Sequence, residues 1–459
     1  MPSVVTALRL RLPHPIILLL GCLAVAVALS YVLPAGQFDR REDAATGRSV
    51  VVPGTYHRVE PHRVGFFEAL VTIPKGMSDA ASVIFLVFLV GGAFAVVEQT
   101  GALSEAVGWL VRKLSDREAL VIPVASLAFA AGGAVENMQE EIIAFVPLLV
   151  LLTSRLGFDP LTAVAMSVGA AAVGAAFSPI NPFQVGIAQK LAELPPLSGA
   201  GYRIGFLLLA LTLWIAGTVR YARRTRRAPV LAAATVPEDK THVPTGHGRH
   251  GIVLLLVVAA FAALILGVLR LGWGFDELSA VFFLMGLAAG LVAGMGPSGT
   301  AEAFISGFRS MAGAAMLIGF ARAIYVALDQ GHILDTIVQG LFTPLAALPV
   351  ALSAVGMMAA HALIHVPVPS VSGQAVLTIP IVVPVSDLLG LSRQVTVLAY
   401  QYGAGLCELV TPTNGALMAI VAAAGVPFNR WLRFAAPLVG LLLGLGAVAI
   451  VAGIAVGLR

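Results

Sequence analysis

The sequence predicts an all-α polytopic membrane protein of about 11 transmembrane helices in two internal repeats, each with a re-entrant hairpin and a broken helix. Three observations carry this. Hydrophobic residues make up 58% of the 459-residue chain and charged ones 11%, against about a quarter charged in ordinary globular domains. Apolar runs of roughly 20 residues, the length that crosses a bilayer, recur from Pro15 to Leu458 with short polar breaks. The stretch from Ile142 to Lys190 lies without gaps on the stretch from Ala375 to Ala423, 233 residues further on.

Taken in order, the spans fall at about 15–34, 77–97, 118–136, 160–192, 201–221, 251–270, 278–296, 311–329, 345–365, 394–426 and 430–457. The first follows "LRLRLPHPIILLLGC", which has the basic-then-apolar order of a secretion signal and ends like a lipoprotein cleavage site. The run continues through "LAVAVALSYVLP", too long for a removed signal, so it reads as a retained span. A charged extramembrane loop, 35–76, comes next, and its "SVVVPGTYHRV" has the alternation of a small hairpin. Two further apolar stretches, 137–156 and 367–390, are interrupted near one end by polar residues or proline. They leave little room for separate crossings and read as re-entrant hairpins, which hydrocarbon tolerates only when they are buried in protein or line a wet cavity. The linker 222–250 has Pro, Gly, Thr and His without periodicity, and it divides a first half, 1–221, from a second, 251–459.

The net charge of +4 belongs to loop arginines such as "RYARRTRR", Arg220 to Arg227, not to a nucleic-acid surface. Such clusters favour the cytoplasmic face. The implied setting is the bacterial inner membrane, with lipid and a small molecule as partners, no nucleic acid, and a homodimer left open. Cys22 and Cys407 lie in apolar runs and make neither a disulfide framework nor a metal set.

In the internal match, Pro147 meets Pro380, Gly157 meets Gly390, Pro179 meets Pro412 and Asn181 meets Asn414, each 233 residues apart, while Ser178 meets Thr411. A looser match pairs "KGMSDAASVIF" from Lys75 with "RSMAGAAMLIG" from Arg309. The identities fall on helix breakers and polar residues, where shared apolar composition would not put them. Proline supplies no N–H and blocks the preceding turn. Ser178 to Asn181 and Thr411 to Asn414, including Thr413, therefore leave carbonyls, hydroxyls and half-helix ends suited to Na+ or a polar substrate near mid-membrane. The bland alternative is a proline kink capped by its asparagine.

The hairpin tips are the second element. "GGAVENMQEEIIAF" offers Glu136, Glu140 and Glu141, and the matching "PVPSVSGQAVLT" offers Ser370, Ser372, Gly373 and Gln374. A carboxylate at membrane depth is costly and marks an ion or substrate path. Adjacent glutamates point about 100° apart on a helix, so one of Glu140 and Glu141 is expected to face a cavity and the other to cap or pair. As first-turn acids at a wet surface they would instead offset the helix dipole. Glu408, one turn before Thr411, is a further cavity candidate. His361 and His365 stand one turn apart in "HALIH" but lack the glutamate of His-Glu-x-x-His. A hydrogen-bonded pair or a proton relay fits them better than zinc. Arg322 is the arginine deepest in a span, expected to pair with a carboxylate, a substrate anion being the alternative. The small residues of "GGAF" and "GAAAVGAAF" read as close helix packing.

With tips, breaks and repeat in view, the chain resembles the YfcC family of basic amino-acid antiporters, related to the DcuC-type C4-dicarboxylate carriers and the wider ion-transporter superfamily. The resemblance covers nearly the full length and rests on "SYVLPAGQFDR", "VVPGTYHRV", "FLVGGAFAVVEQTGAL", "MQEEIIAFVP", "SPINPFQVGIAQ", "PSVSGQAVLTIPI" and "TPTNGALMAIVAAAGVPFNRWLRF". It implies an elevator-like carrier whose two tips and two broken helices enclose substrate and coupling ions, nominating Glu140, Glu141, Ser178, Asn181, Ser372, Gly373, Gln374, Thr411, Thr413 and Asn414. Glu136, Glu408, His361 and His365 remain candidates for coupling or relay.

The expected function is secondary active transport of amino acids, basic ones included, by exchange or coupled to Na+ or H+, with no cofactor and no enzymatic activity. The tips and breaks carry hydroxyl, amide and carboxylate groups but no Arg or Lys, which suits a substrate bearing an amino group. A C4-dicarboxylate or other small carboxylate is the alternative cargo. No Gly-x-x-x-x-Gly-Lys loop offers ATP drive. An intramembrane hydrolase, with Ser372 as nucleophile and His361 or His365 as base, and a passive channel are more remote.

Overall fold

A computed structural model describes residues 15–43, 48–102, 105, 120–226, 247–271 and 273–458. The basic stretch before Pro15 and residues 227–246 of the central linker lie outside the described residues. Hydrocarbon offers no partner to a backbone amide, so each must be satisfied within the chain. Accordingly the described residues are mostly helical.

Helix α1 (Pro15–Val32) leads into four short strands, β1 (Gly36–Gln37), β2 (Arg40–Asp43), β3 (Arg48–Val51) and β4 (His57–Arg58). The hairpin expected within "SVVVPGTYHRV" is not what forms. Strand β3 pairs backwards with β2, and β4 pairs with β1, so the two antiparallel pairs are nested. The outer pair is tied down by the helix that follows residue 333: Gly36 N donates to His332 O at 2.9 Å, and Phe38 N donates to Asp335 Oδ2 at 2.9 Å.

Helices α2 (Phe66–Asp79) and α3 (Ala81–Gln99) break at Ala80, three residues inside the expected start at 77. Next come α4 (Val121–Glu136), α5 (Ile142–Arg155) and α6 (Pro160–Ala176). Helix α6 contains a π turn at Ala165–Gly169, where the Trp214 indole donates to the Ala165 carbonyl at 2.9 Å. After the break, α7 runs from Pro182 to Leu191, then α8 (Ala200–Thr225) closes the first half.

The second half holds α9 (His247–Leu266), α10 (Phe275–Ala293), α11 (Gly296–Gln330), α12 (Leu334–Phe342), α13 (Val350–Ile364), α14 (Val371–Leu388), α15 (Arg393–Cys407), α16 (Gly415–Ala423) and α17 (Phe428–Ala455). Helix α11 corrects the expectation of a loop between spans ending at 296 and starting at 311. The polar-looking "PSGTAEAFISGFRS" is its first half, because small side chains there let it lie against α3. A methyl group on Gly307 would meet the Gly91 carbonyl oxygen at 2.3 Å. At 35 residues, α11 is about 52 Å long, well beyond a hydrocarbon core of about 30 Å.

Six described helices, α3, α8, α10, α11, α14 and α17, are long and apolar enough to cross a membrane by length and composition. At the centre, α6 and α15 pack on each other and are buried on nearly every side, α6 being almost wholly apolar and α15 carrying the buried amides Gln394 and Gln401. Helix α4 lies on α6, and α13 lies on α15. Both contacts are backbone against backbone: a methyl on Gly133 would meet the Ala171 oxygen at 2.0 Å, and one on Gly403 the Met358 oxygen at 2.3 Å. Leucines and valines of α8, α9 and α17, among them Leu208, Leu255 and Val448, are exposed on the outside where lipid solvates them.

Candidate functional site

Proline at 179 ends α6, and the freed groups are recovered locally. The Ser178 hydroxyl donates to the Ala134 carbonyl at 2.6 Å and accepts from the amides of Ile180 and Asn181. Asn181 caps α7, its Oδ1 accepting from Phe183 N and Gln184 N at 2.9 Å, while its Nδ2 donates to the Gly133 carbonyl at 2.7 Å. Gln401 of α15 donates to the Ser178 carbonyl at 2.7 Å. Behind it stands Arg203, fully buried, with its Nε on Gln401 Oε1, its Nη1 on the Ser198 carbonyl and its Nη2 on Gln394 Oε1.

At the tip between α4 and α5, Asn137 takes the left-handed conformation (φ 58°) that asparagine tolerates better than most residues. This turns the chain, and the Asn137 Oδ1 accepts from Gln184 Nε2 at 2.8 Å. Two residues on, Gln139 is buried, donating to the Glu408 carboxylate and accepting from Asn414 Nδ2 at 3.1 Å. Asn414 caps α16 through Leu417 N at 3.1 Å. One tip, residues 133–141, therefore touches both breaks: Gly133, Ala134 and Asn137 meet the first, Gln139 the second.

Beside the second break lies a cavity of about 470 Å³, walled by Gln139, Glu140, Glu141, Glu408, Thr413 and Asn414 on one side and by Asp79, Arg322, Ser370 and Ser372 on the other. Glu141 also accepts from Gln139 N at 3.2 Å across the turn. A smaller cavity of about 310 Å³ adjoins it, sharing Arg322, Pro369, Ser370 and Ser372 and adding Arg40, Ser49 and Gly373. Arg322 is paired with Asp79, the pairing expected as its default, and its guanidinium lies 4.6 Å from the Tyr325 ring centre. The Ser370 hydroxyl caps α14 through Gly373 N at 3.3 Å.

The structure thus brings Glu140, Glu141, Glu408, Ser372, Thr413 and Asn414 to one cavity, with Gly373 on its smaller neighbour. Ser178, Asn181 and Thr411 stand apart from both: each is at most 2% exposed, and the first two are bonded into protein. Around the first break the carbonyls of Ser178, Gly133 and Ala134 each accept a hydrogen bond, from Gln401, Asn181 and Ser178 respectively. Gln374 is also off the wall, buried between the two histidines, with Oε1 3.2 Å from His365 Nδ1 and Nε2 3.2 Å from His361 Nδ1. A single amide thereby gives the rings opposite tautomers: His361 accepts at Nδ1 and His365 donates there. Neither histidine bonds Ser372 among the described residues, so the hydrolase dyad is not assembled. The side chain of Glu136 lies outside the described ones.

Reasoning from sequence missed Gln139, Gln184, Gln401, Arg203 and Asp79. The signal available for them is the rarity of amide and charged side chains beside or within apolar runs.

Fold and site together define a polytopic helical membrane protein with a polar interior cavity. Residues 12–455 match the family described as DcuC, C4-dicarboxylate anaerobic carrier, and the chain belongs to that family of membrane transporters. It is 32% identical to the protein of Escherichia coli (strain K12) named "Putative basic amino acid antiporter YfcC", the alignment covering 96% of each chain. A Haemophilus influenzae protein is 30% identical, over 88% of this chain and 81% of its own length. Among solved structures, the Alcanivorax borkumensis YdaH transporter is similar with a TM-score of 0.44 at 19% identity, covering 97% of this chain and 99% of its own. Neisseria gonorrhoeae MtrF gives 0.41 at 17%, covering 96% and 95%.

Proposed function

We propose that the protein is a secondary active transporter of amino acids that carry a second cationic group, working by exchange or with Na+ or H+ as coupling ion in the bacterial inner membrane. The observation that carries this is the three-glutamate wall. Glu140, Glu141 and Glu408 border one cavity whose other polar groups are mostly hydroxyls and amides. A bound ammonium or guanidinium offsets their mutual repulsion in a medium of low dielectric, where each charge pair counts for far more than in water. The name of the Escherichia coli relative points the same way.

Alternating access by two repeats is part of the proposal. Gly157 and Gly390, equivalent in the internal match, both take positive φ, 76° and 66°. Asn181 and Asn414 cap equivalent half-helices through Oδ1. Helix α5, of 14 residues and about 21 Å, is too short to cross alone, which supports the re-entrant reading of 137–156; α4, of 16 residues and about 24 Å, is shorter than the crossing expected at 118–136 and serves as the other arm of that hairpin. Helix α14 is the counterpart of α5 in the internal match; at 18 residues, against 14, it is also long enough to cross. The elevator-like motion would carry both hairpins, α6, α7, α15 and α16 as one body past α11.

The family description favours a second reading, a C4-dicarboxylate carrier. A dianion at this wall would need bound cations to offset the glutamates. The test is counterflow in proteoliposomes: labelled arginine, ornithine or lysine is expected to exchange, and labelled succinate is not. Succinate uptake without amino-acid exchange would replace the first reading with the second.

A further inference from the structure

The two adjoining cavities differ in sign. The larger carries Glu140, Glu141 and Glu408; the smaller carries Arg40 and Arg322. Arg40 is committed to Asp335, a nearly buried carboxylate 2.9 Å away that also accepts from Phe38 N. Arg322 differs. It stands on the wall common to both cavities beside the hydroxyls of Ser370 and Ser372, and its partner Asp79, 47% exposed, is itself on the wall of the larger one. The pair engages Nε of a guanidinium that has five N–H donors in a planar fork, and no other hydrogen bond from that fork is made among the described residues.

We infer that Arg322 is the receptor for the substrate's α-carboxylate, and that Asp79 holds the position on Arg322 which that carboxylate takes over. The inference rests on the amino-acid reading above and deepens it. A half-exposed ion pair is weak, so exchanging Asp79 for another carboxylate loses little. A carboxylate arriving on a molecule whose ammonium is already among the glutamates comes at high effective concentration. The Tyr325 ring against the guanidinium keeps Arg322 in place during the exchange. The polarity of the site then selects a zwitterion with an extra cation over both a simple diamine, which leaves Arg322 on Asp79, and a dicarboxylate, which meets the glutamates.

The test measures binding of lysine and of cadaverine, the same molecule without its carboxylate, to the full-length protein in nanodiscs. Wild type is expected to prefer lysine by about tenfold or more, the worth of one charge-assisted contact. Arg322→Gln is expected to erase that preference, with cadaverine held at least as tightly as by wild type because Asp79 is left free to take its second ammonium. Arg322→Lys, which keeps the charge and loses the fork, should keep only part of it. Asp79→Asn should tighten lysine several-fold and weaken cadaverine, which then faces an unpaired Arg322. An unchanged lysine-to-cadaverine ratio in Arg322→Gln, or in Arg322→Lys if the glutamine variant does not fold, overturns the assignment; so does loss of the ratio in Asp79→Asn. Wild type that binds none of lysine, ornithine and arginine instead removes the amino-acid reading itself, a result separable from the variants because it needs none of them.

Discussion

Gln139 and Glu408, 269 residues apart, share a buried hydrogen bond in which the amide of the first tip donates to the carboxylate that precedes the second break. The same amide accepts from Asn414, so one side chain joins a tip of the first half to a half-helix of the second.

Removing that amide should disturb both sides at once. A buried group stripped of its partner costs about 1–3 kcal/mol, more if charged. Gln139→Leu is expected to lower the thermal midpoint of the purified protein and to reduce exchange by more than tenfold, whereas Gln139→Asn, one methylene shorter, should do less. Equal effects of the two on both readouts would mean the bond is incidental.

The glutamates are predicted to differ in kind from their neighbours. Glu141→Gln should abolish exchange, and Glu408→Gln should raise KM for lysine by at least about tenfold, the equivalent of about 1.4 kcal/mol. Uptake measured in proteoliposomes at matched protein density decides it, and wild-type exchange by Glu141→Gln would remove that residue from the mechanism.

Close packing gives a third expectation. A side chain at Gly133 or Gly307 has nowhere to go, since in each case the obstruction is the opposing backbone. Gly133→Val and Gly307→Val should fail to yield monodisperse protein in detergent, while Gly313→Ala on the same helix as Gly307, with nothing within 4 Å, should purify normally.

Arg203 supplies a fourth. Its guanidinium is fully buried on three neutral acceptors, Gln394, Gln401 and the Ser198 carbonyl. Arg203→Leu orphans them together, so a loss of several kcal/mol is expected, read as a large drop in thermal midpoint. Because the Arg203–Gln401 bond is lost in either single substitution, double substitution with Gln401→Leu should cost less than the sum.

The parts of this architecture legible in the sequence are those where the residue type is itself the cause. Pro179 and Pro412 interrupt helices where an asparagine two residues on caps the next half-helix, whereas Pro147, Pro380 and Pro437, without such a cap, lie inside continuous helices; Gly157 and Gly390 follow helix ends because they adopt positive φ at no cost. Partners were not legible. Nothing local distinguishes Gln139, which reaches Glu408, from a glutamine that faces water, and the spacing of His361 and His365 gives no hint that Gln374 lies between them. The length of α11 was hidden for another reason: small and polar residues from Ser298 to Ser310 look like a loop until their opposite, the glycines of α3, is known.

The nested strands reach over the second tip, where Arg40 and Ser49 share a cavity wall with Ser370, Ser372 and Gly373. The crown is hydrogen-bonded to α12 through Asp335 and Thr336, and its strand β3 packs on α14, the tip's own helix. An antibody fragment that grips the strands would therefore load α12 and α14 at once, and is expected to act as a brake on turnover.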